Sequence, residues 1–261
     1  MTPVSTQQGN SPLVLGLPHT GTYVPDDIWQ KLNTNGQKLA DTDWHIDQLY
    51  DGLLEGITTV KAEFHRYVID ANRDPAGVSL YPGQNTTTLV PLTDFDGESI
   101  WRTEPSETDI TARRDTFHTP YHAALKAELM RVKALHGYAI LYDCHSIRSH
   151  IPFLFEGELP ILNIGTNLGT TCDPRIESSV VDIARASAHN TALNARFKGG
   201  WTTRHYGQPS ENIHAIQMEI AQRAYLETEA APWRYDPAKA ENLCETLRPI
   251  LTSLANWRPL I

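Results

Sequence analysis

The sequence predicts an α/β protein built around an open sheet, and three observations lead to this prediction. Residues 138–142 are almost entirely apolar and are typical of a buried strand. The chain then turns polar at once, with Asp143, His145 and Arg148 in close succession. Segments of helical periodicity flank this and other apolar runs, as in sheets covered by helices. Ligands of such sheets bind at the carboxyl ends of strands, so His145 is a candidate functional residue, with Asp143 as its orienting partner.

The bulk composition limits the class of protein. With 261 residues, 40% hydrophobic and 20% charged, the chain suits one large domain that needs no disulfides. We expect a single domain over residues 1–261, with residues 1–10 flexible. The net charge of −9 gives no support for nucleic-acid binding. Attraction of an anionic substrate must therefore come from local arginines, because the overall field repels it.

The cysteines and the N-terminus bear on the cellular compartment. Cys144, Cys172 and Cys244 are widely spaced and form no CxxC pair, which argues against a disulfide scaffold and against a cysteine-rich zinc site. The polar N-terminal segment lacks a signal-peptide pattern, and no window is apolar enough for a membrane span. We therefore expect a cytoplasmic protein without a membrane partner.

The remaining elements follow from periodicity and capping signals. A capping box at residues 106–109 opens a long helix that Pro120 is expected to kink or divide, and Thr42 is a plausible N-cap. The segment 77–104 is rich in Pro, Gly, Thr and Asp and is predicted to form a lid or rim. Strands are predicted at 11–18, 57–62, 67–69, 151–155, 162–165 and 213–218, and helices at 26–32, 42–54, 106–135, 174–189 and 237–254.

Residues suited to catalysis stand where several predicted strands end. His19 follows the 11–18 strand, Asn72 and Arg73 follow the 67–69 strand, and Glu219 closes the 213–218 strand. Asp43 stands at the start of the next helix. Each has an ordinary alternative, such as a loop histidine, a turn with a surface ion pair, or a carboxylate favoured by the helix dipole. Their shared placement favours one common site.

The residue types in this set indicate a reaction class. Two histidines and one carboxylate with an open fourth position form the usual ligand set of a hydrolytic zinc site. Such a metal lowers the pKa of a bound water to about 7 and polarises a carbonyl. A separate carboxylate then acts as general base, which suits Glu219. The residues therefore suggest metal-assisted hydrolysis of an amide or ester in a small anionic molecule.

Motifs from about residue 11 to the C-terminus carry a family resemblance. They are Pro18-His-Thr-Gly21, Thr42-Asp-Trp-His-Ile-Asp-Gln-Leu-Tyr50, Tyr81-Pro-Gly83, Asp143-Cys-His-Ser-Ile-Arg148, Pro152-Phe-Leu-Phe-Glu-Gly157, Phe197-Lys-Gly-Gly200, Thr203-Arg-His-Tyr-Gly207 and Glu219-Ile-Ala-Gln-Arg-Ala-Tyr225. Together they resemble the N-formylglutamate amidohydrolase (deformylase) family. The resemblance implies hydrolysis of N-formyl-L-glutamate to formate and L-glutamate in bacterial histidine degradation. It also implies a three-layer α/β sandwich with a mixed central sheet, the phosphorylase/hydrolase-like fold shared with zinc carboxypeptidases and aspartoacylase.

The resemblance also implies metal ligands. His19 and His145 resemble the two metal-binding histidines of aspartoacylase, and one divalent ion is expected, zinc with cobalt or manganese as alternatives. Those relatives use His-x-x-Glu for two ligands, whereas position 22 here is threonine. Asp43 is the expected third ligand, with His45 and Asp47 as alternatives.

The remaining roles concern the substrate. Glu219 resembles the general base, and Asp70-Ala-Asn-Arg73 resembles a substrate-binding Asn-Arg motif, so Asn72 and Arg73 are expected to bind a carboxylate or the oxyanion. Arg148 and Arg204 are candidates for the two glutamate carboxylates.

Two rival functions stay open at this point. One is an amidohydrolase of the same fold that acts on another N-acyl amino acid or a small peptide. The other is a non-catalytic binding protein for acidic ligands. The sequence leaves the oligomeric state undetermined.

Overall fold

A mixed seven-stranded sheet forms the centre of the molecule. A computed structural model describes residues 2–79 and 85–260. Its strands, in chain order, are β1 Val4–Gln7, β2 Leu13–Leu17, β3 Thr58–Ala62, β4 Ala139–Ile147, β5 Leu162–Gly165, β6 Thr191–Leu193 and β7 Ile213–Ala221. Its α-helices are α1 Asp26–Trp29, α2 Ile46–Tyr50, α3 Glu107–Arg113, α4 Thr119–His136, α5 Pro174–Ala186, α6 Trp201–Tyr206 and α7 Pro237–Asn256.

The strand order is β1-β3-β2-β4-β7-β5-β6. The four central strands β3, β2, β4 and β7 are mutually parallel. β1 pairs antiparallel to β3 at one edge, and β5 pairs antiparallel to β7 near the other. The sheet is therefore mixed, and the predicted α/β class is confirmed.

Helices cover both faces of the sheet because its central strands are buried on both sides. Alternate residues of a strand point to opposite faces. Leu15 and Tyr142 belong to a hydrophobic cluster with residues of α5 and α7, whereas Val14 and Leu141 belong to a second cluster with residues of α4. Burial of such side chains contributes about 1.5–3 kcal/mol each, which holds the three layers together.

The central strands β4 and β7 are longer than the sequence predicted. They pair over nine positions, and His145 lies directly opposite Glu219. The sequence placed the strand ends near residues 142 and 218 because polar residues begin there. This boundary was wrong, since buried polar side chains that find partners remain compatible with a strand. His145 and Glu219 thus lie within the sheet and not beyond it.

Other differences lie outside the central strands. Residues 67–69 and 151–155 form turns where strands were predicted. Helix α2 begins at Ile46 after His45, and Thr42 is not its cap because its hydroxyl donates to the carbonyl of Leu39. Residues 4–7, expected to be flexible, form β1.

Several local predictions hold. Ser106 and Asp109 form both hydrogen bonds of a capping box at the start of α3. The predicted break in the long helix exists, but it is the π-helical turn Arg114–His118 and not Pro120, which lies in the first turn of α4. The Tyr81-Pro-Gly83 motif lies outside the described residues. Among the helices of the described ranges, none is both long enough and apolar enough to cross a membrane.

Candidate active site

The carboxyl-terminal halves of β4 and β7 and the loop after β2 border a cavity of about 110 Å³. His19 reaches it from the loop after β2, His145 from β4 and Glu219 from β7. All three side chains are buried. The strand order places β2, β4 and β7 side by side, so these distant residues meet at one end of the sheet.

A triangle of possible ligand atoms lies beneath this cavity. Nδ1 of His19 is 3.2 Å from Nδ1 of His145 and 3.8 Å from Oδ2 of Asp43, and Nδ1 of His145 is 3.4 Å from that oxygen. Ligand atoms at zinc-bond lengths in a tetrahedron are separated by about 3.3 Å. The buried cluster can therefore hold a metal ion. Its three ligand atoms occupy three corners of a tetrahedron and leave the fourth corner open.

Each histidine of the cluster has a carboxylate behind it. Nε2 of His19 is 2.7 Å from Oδ1 of Asp70, and Nε2 of His145 is 3.1 Å from Oδ1 of Asp143. A metal-binding histidine normally donates its other N–H to such a group, which fixes the tautomer and the ring orientation. The hydrogen bond to Asp70 directs Nδ1 of His19 into the cluster, and the contact with Asp143 turns Nδ1 of His145 to the same point.

Arg66 holds Asp43 in its ionised form. Nη2 of Arg66 donates to Oδ1 of Asp43 at 2.8 Å, and the backbone N–H of Ser146 donates to Oδ2 at 3.0 Å. Burial alone would raise the pKa of Asp43, but Arg66 and the two histidines hold it below its usual value. Sequence reasoning missed Arg66, whose one signal is a charge within the apolar run of residues 64–69.

The two histidines differ in protonation. Burial and the charge of Arg66 lower the pKa of His19, which keeps its imidazole neutral. Burial also opposes protonation of His145, but the carboxylates of Asp143 and Asp43 outweigh it and raise the pKa of His145 well above its usual value. The cluster as a whole favours one positive charge between its ligand atoms.

Glu219 is a buried carboxyl group whose surroundings change its pKa. Burial, with the nearby Asp43 charge, raises the pKa of Glu219 to about 8. Nε2 of Gln217 donates to Oε2 of Glu219 at 3.2 Å, and Oε1 of Gln217 accepts the N–H of Gly200 at 2.7 Å. A general base works best with a pKa near the operating pH, so Glu219 has the properties of a proton-transfer group.

Asn72 and Arg73 line the same cavity. The guanidinium of Arg73 donates through Nε and Nη2 to the carbonyl and hydroxyl of Thr87. Oδ1 of Asn72 accepts the N–H of Thr202, and Nδ2 of Asn72 lies 3.2 Å from Nε2 of His145. The segment predicted as a rim supplies Ser79 and residues 85–87 to the lining.

Two predicted arginines lie elsewhere. Arg148 donates to Oδ2 of Asp96 at 2.8 Å, and Arg204 donates through Nε to the carbonyl of Gly199. In the described ranges, neither belongs to the cavity lining, which contains Arg66, Arg73 and Arg196. Sequence periodicity gave no signal for Arg196, because it stands in a loop whose direction depends on β6 and α6.

The two alternative third ligands, Asp47 and His45, lie outside the cluster. Asp47 contacts the ammonium of Lys61 at 3.3 Å and accepts the hydroxyl of Thr20. His45 contacts the carbonyl of Trp233 through Nε2. The structure brings Asp43, and neither of these two, to the cluster with His19 and His145.

The fold and the buried centre together define a hydrolytic enzyme of the α/β class. The family model described as N-formylglutamate amidohydrolase matches residues 11–226. An N-formylglutamate deformylase of Pseudomonas aeruginosa is 43% identical over 258 residues, which cover 97% of this chain and 96% of that protein. One from Pseudomonas putida is 42% identical over the same shares. The chain belongs to the N-formylglutamate amidohydrolase family.

The fold has a solved counterpart. The crystal structure of N-formylglutamate amidohydrolase from Ralstonia eutropha JMP134 superposes with a TM-score of 0.80 at 24% sequence identity. The match covers 97% of this chain and 98% of that one. This agreement extends the family's fold to the whole described chain.

Proposed function

We propose that this protein hydrolyses N-formyl-L-glutamate to formate and L-glutamate. The observation that carries the proposal is the triangle of His19, Asp43 and His145, with Glu219 opposite His145 on the neighbouring strand. The names of the Pseudomonas relatives support the choice of substrate. A cytoplasmic location and a single domain over residues 1–261 stay predictions from the sequence.

We assign the metal site to His19, Asp43 and His145. Two imidazoles and one carboxylate suit zinc, with cobalt or manganese as alternatives. When bound, a divalent ion there would polarise the formyl carbonyl and lower the pKa of a water molecule. The carboxylates of Asp70 and Asp143 support this assignment because they orient the imidazoles.

Glu219 moves the proton in the proposed mechanism. Its carboxylate removes a proton from the attacking water, whose oxygen forms a bond to the formyl carbon. The tetrahedral centre then collapses, and the C–N bond breaks. Glu219 returns the proton to the departing nitrogen, so formate and the free amine of glutamate result. Gln217 holds one carboxylate oxygen of Glu219 and leaves the other for this transfer.

Arginine and amide groups bind the anionic parts of the substrate. Arg73 with Asn72 is assigned to a glutamate carboxylate or to the developing oxyanion, because both line the cavity beside His145. The second carboxylate was expected at Arg148 or Arg204. We assign this second carboxylate, taken as that of the glutamate side chain, instead to Arg196, which lines the cavity and whose Nε donates to the carbonyl of Leu154.

The acyl pocket is expected to be small. Gly200 lies so close to Asn72 that a Cβ at this glycine would be 2.3 Å from Nδ2 of Asn72. The same cavity must receive the glutamate part as well, since Asn72, Arg73 and Gly200 all line it. We therefore expect formyl substrates to be accepted and acetyl substrates to be rejected.

Release of free amine tests the proposal. N-formyl-L-glutamate, N-acetyl-L-glutamate and N-formyl-L-aspartate are compared with and without a chelator. Fast release from N-formyl-L-glutamate alone, abolished by chelator and restored by zinc, is the expected result. No release after loading with zinc, cobalt or manganese would contradict the proposal and favour another N-acyl substrate.

A further inference from the structure

Two histidines of the α4 region hold the turn that carries Asn72 and Arg73. Nε2 of His122 is 2.8 Å from the carbonyl oxygen of Ala71, and Nε2 of His118 is 3.0 Å from that of Arg73. We propose that His118 and His122 are positioning residues that fix this turn, and with it Asn72 and Arg73, in the geometry that receives the substrate. The proposal rests on the function proposed above, which assigns substrate binding to Asn72 and Arg73.

Every backbone carbonyl of the turn has a partner. The carbonyl of Asp70 accepts the N–H of Arg73, and the carbonyl of Asn72 accepts Nη1 of Arg73. The carbonyls of Ala71 and Arg73 have the two histidines. Ala71 is fully buried and Arg73 is partly buried, so water is a poor substitute above all for the donor from His122. Loss of either histidine would leave a carbonyl of the turn unsatisfied and the turn free to shift.

The hydrogen-bond partners determine the tautomer of each ring. A carbonyl can only accept, so Nε2 carries the proton in both His118 and His122. The hydroxyl of Tyr206 lies 3.0 Å from Nδ1 of His122 and 3.1 Å from the carbonyl oxygen of the same residue, so its one proton has two acceptors within reach. Burial lowers the pKa of both imidazoles, that of His122 to about 3, so both rings stay neutral donors at physiological pH.

Helix α6 supports the same turn from the other side. The Trp201 ring packs edge-on against His122 at 4.8 Å between centroids and also contacts His118 at 5.8 Å. The next residue, Thr202, donates its backbone N–H to Oδ1 of Asn72 at 2.8 Å. The two histidines and the start of α6 therefore enclose Asn72, and we call His118 and His122 the histidine clamp.

The helix is irregular where the clamp begins. His118 is the last residue of the π-helical turn Arg114–His118, and His122 follows one turn later on α4. Such turns occur frequently at functional sites, because they change which residues a helix presents to its neighbour. The spacing of four residues places both histidines on one face of the helix, from which they reach the carbonyls of Ala71 and Arg73.

Paired substitutions test the clamp. The side-chain amide of Gln can place a nitrogen near the position of Nε2, whereas the shorter Asn cannot. In His118→Asn and His122→Asn, kcat/KM for N-formyl-L-glutamate is expected to fall on the order of tenfold to hundredfold, as for other misplaced binding groups. His118→Gln and His122→Gln are expected to recover most of it. His136→Asn is the matched control, because His136 at the far end of α4 contacts the carbonyl of Asn10 in the same manner.

A double-mutant cycle separates positioning from a general loss of structure. If the clamp acts through Arg73, His118→Asn costs little further activity in an Arg73→Met background. Full additivity, or unchanged KM and kcat in both folded Asn variants, would overturn the proposal. Nitrogen-15 NMR of the folded protein gives a readout independent of activity, since any tautomer other than neutral Nε2–H at pH 7 would also overturn it.

Different results would refute the proposed function and the proposed role of the clamp. Absence of N-formyl-L-glutamate hydrolysis by the unmodified protein would refute the function, while the tautomer measurement would still test the clamp contacts. Normal hydrolysis by the unmodified protein together with normal hydrolysis by both Asn variants would refute the clamp alone.

Discussion

The Nδ1 atoms of His19 and His145 lie 3.2 Å apart although 126 positions separate the two residues in the chain. Asp70 and Asp143 contact the opposite nitrogens, which turns both Nδ1 atoms toward the same point. Two imidazole nitrogens this close repel each other unless a proton or a metal ion lies between them. Asp43 adds a carboxylate at the same point, so this buried centre is arranged to receive a cation.

Asp70→Asn should weaken metal binding. The amide preserves the shape of the side chain but removes the charge that orients His19, and loss of such a partner costs about 10- to 100-fold in metal affinity. Competition with a chromophoric chelator measures the change. Asp51→Asn, at an exposed position after α2, is the control. Equal affinities for the two variants would show that Asp70 does not support the site.

Glu219→Gln should separate catalysis from metal binding. The amide cannot accept the proton of water, and loss of a general base lowers kcat by about 10²- to 10⁴-fold. Metal content, measured by mass spectrometry, should stay unchanged because Glu219 is not one of the three clustered ligands. Glu211→Gln makes the same change on the surface as a control. A variant at Glu219 with normal kcat would refute its catalytic role.

Arg196→Met should reduce discrimination for the side-chain carboxylate. A hydrogen bond to a charged group contributes about 1.5–3 kcal/mol, so kcat/KM for N-formyl-L-glutamate should fall about 10- to 100-fold. Activity on N-formyl-L-norvaline, which has a methyl group in place of the carboxylate, should change little. Arg148→Met and Arg204→Met test the earlier assignments in parallel. If either of these loses the discrimination while Arg196→Met keeps it, the assignment to Arg196 is wrong.

His122 should make stability sensitive to acid. Its pKa is about 3 in the folded protein against an ordinary value of 6.5, so between these values the unfolded chain binds a proton that the folded chain does not. The contribution of His122 to the free energy of unfolding is therefore complete above about pH 6.5, and it is lost as the pH decreases. From pH 7 to pH 5 the contribution is at most about 2 kcal/mol. Urea unfolding should show a flatter pH dependence for His122→Gln than for the unmodified protein, with His136→Gln as the control.

The sequence was informative where the pattern was local. The buried run before Asp143, the capping box at Ser106 and the long C-terminal helix all depend on neighbours within a few residues. The family motifs also pointed to His19, Asp43, His145 and Glu219 as one set. Strand ends at 142 and 218 were misplaced because buried polar residues are locally indistinguishable from the start of a loop.

The sequence by itself determined the α/β class, the family, and the residue types available for hydrolysis. Only the tertiary structure decided which charges meet: Arg66 with Asp43, Asp70 with His19, and Arg196 in place of Arg148 at the cavity. The physical reason is the strand order. A crossover sheet joins residues more than a hundred positions apart, and the direction of a loop arginine depends on the elements packed around it, which no local periodicity encodes.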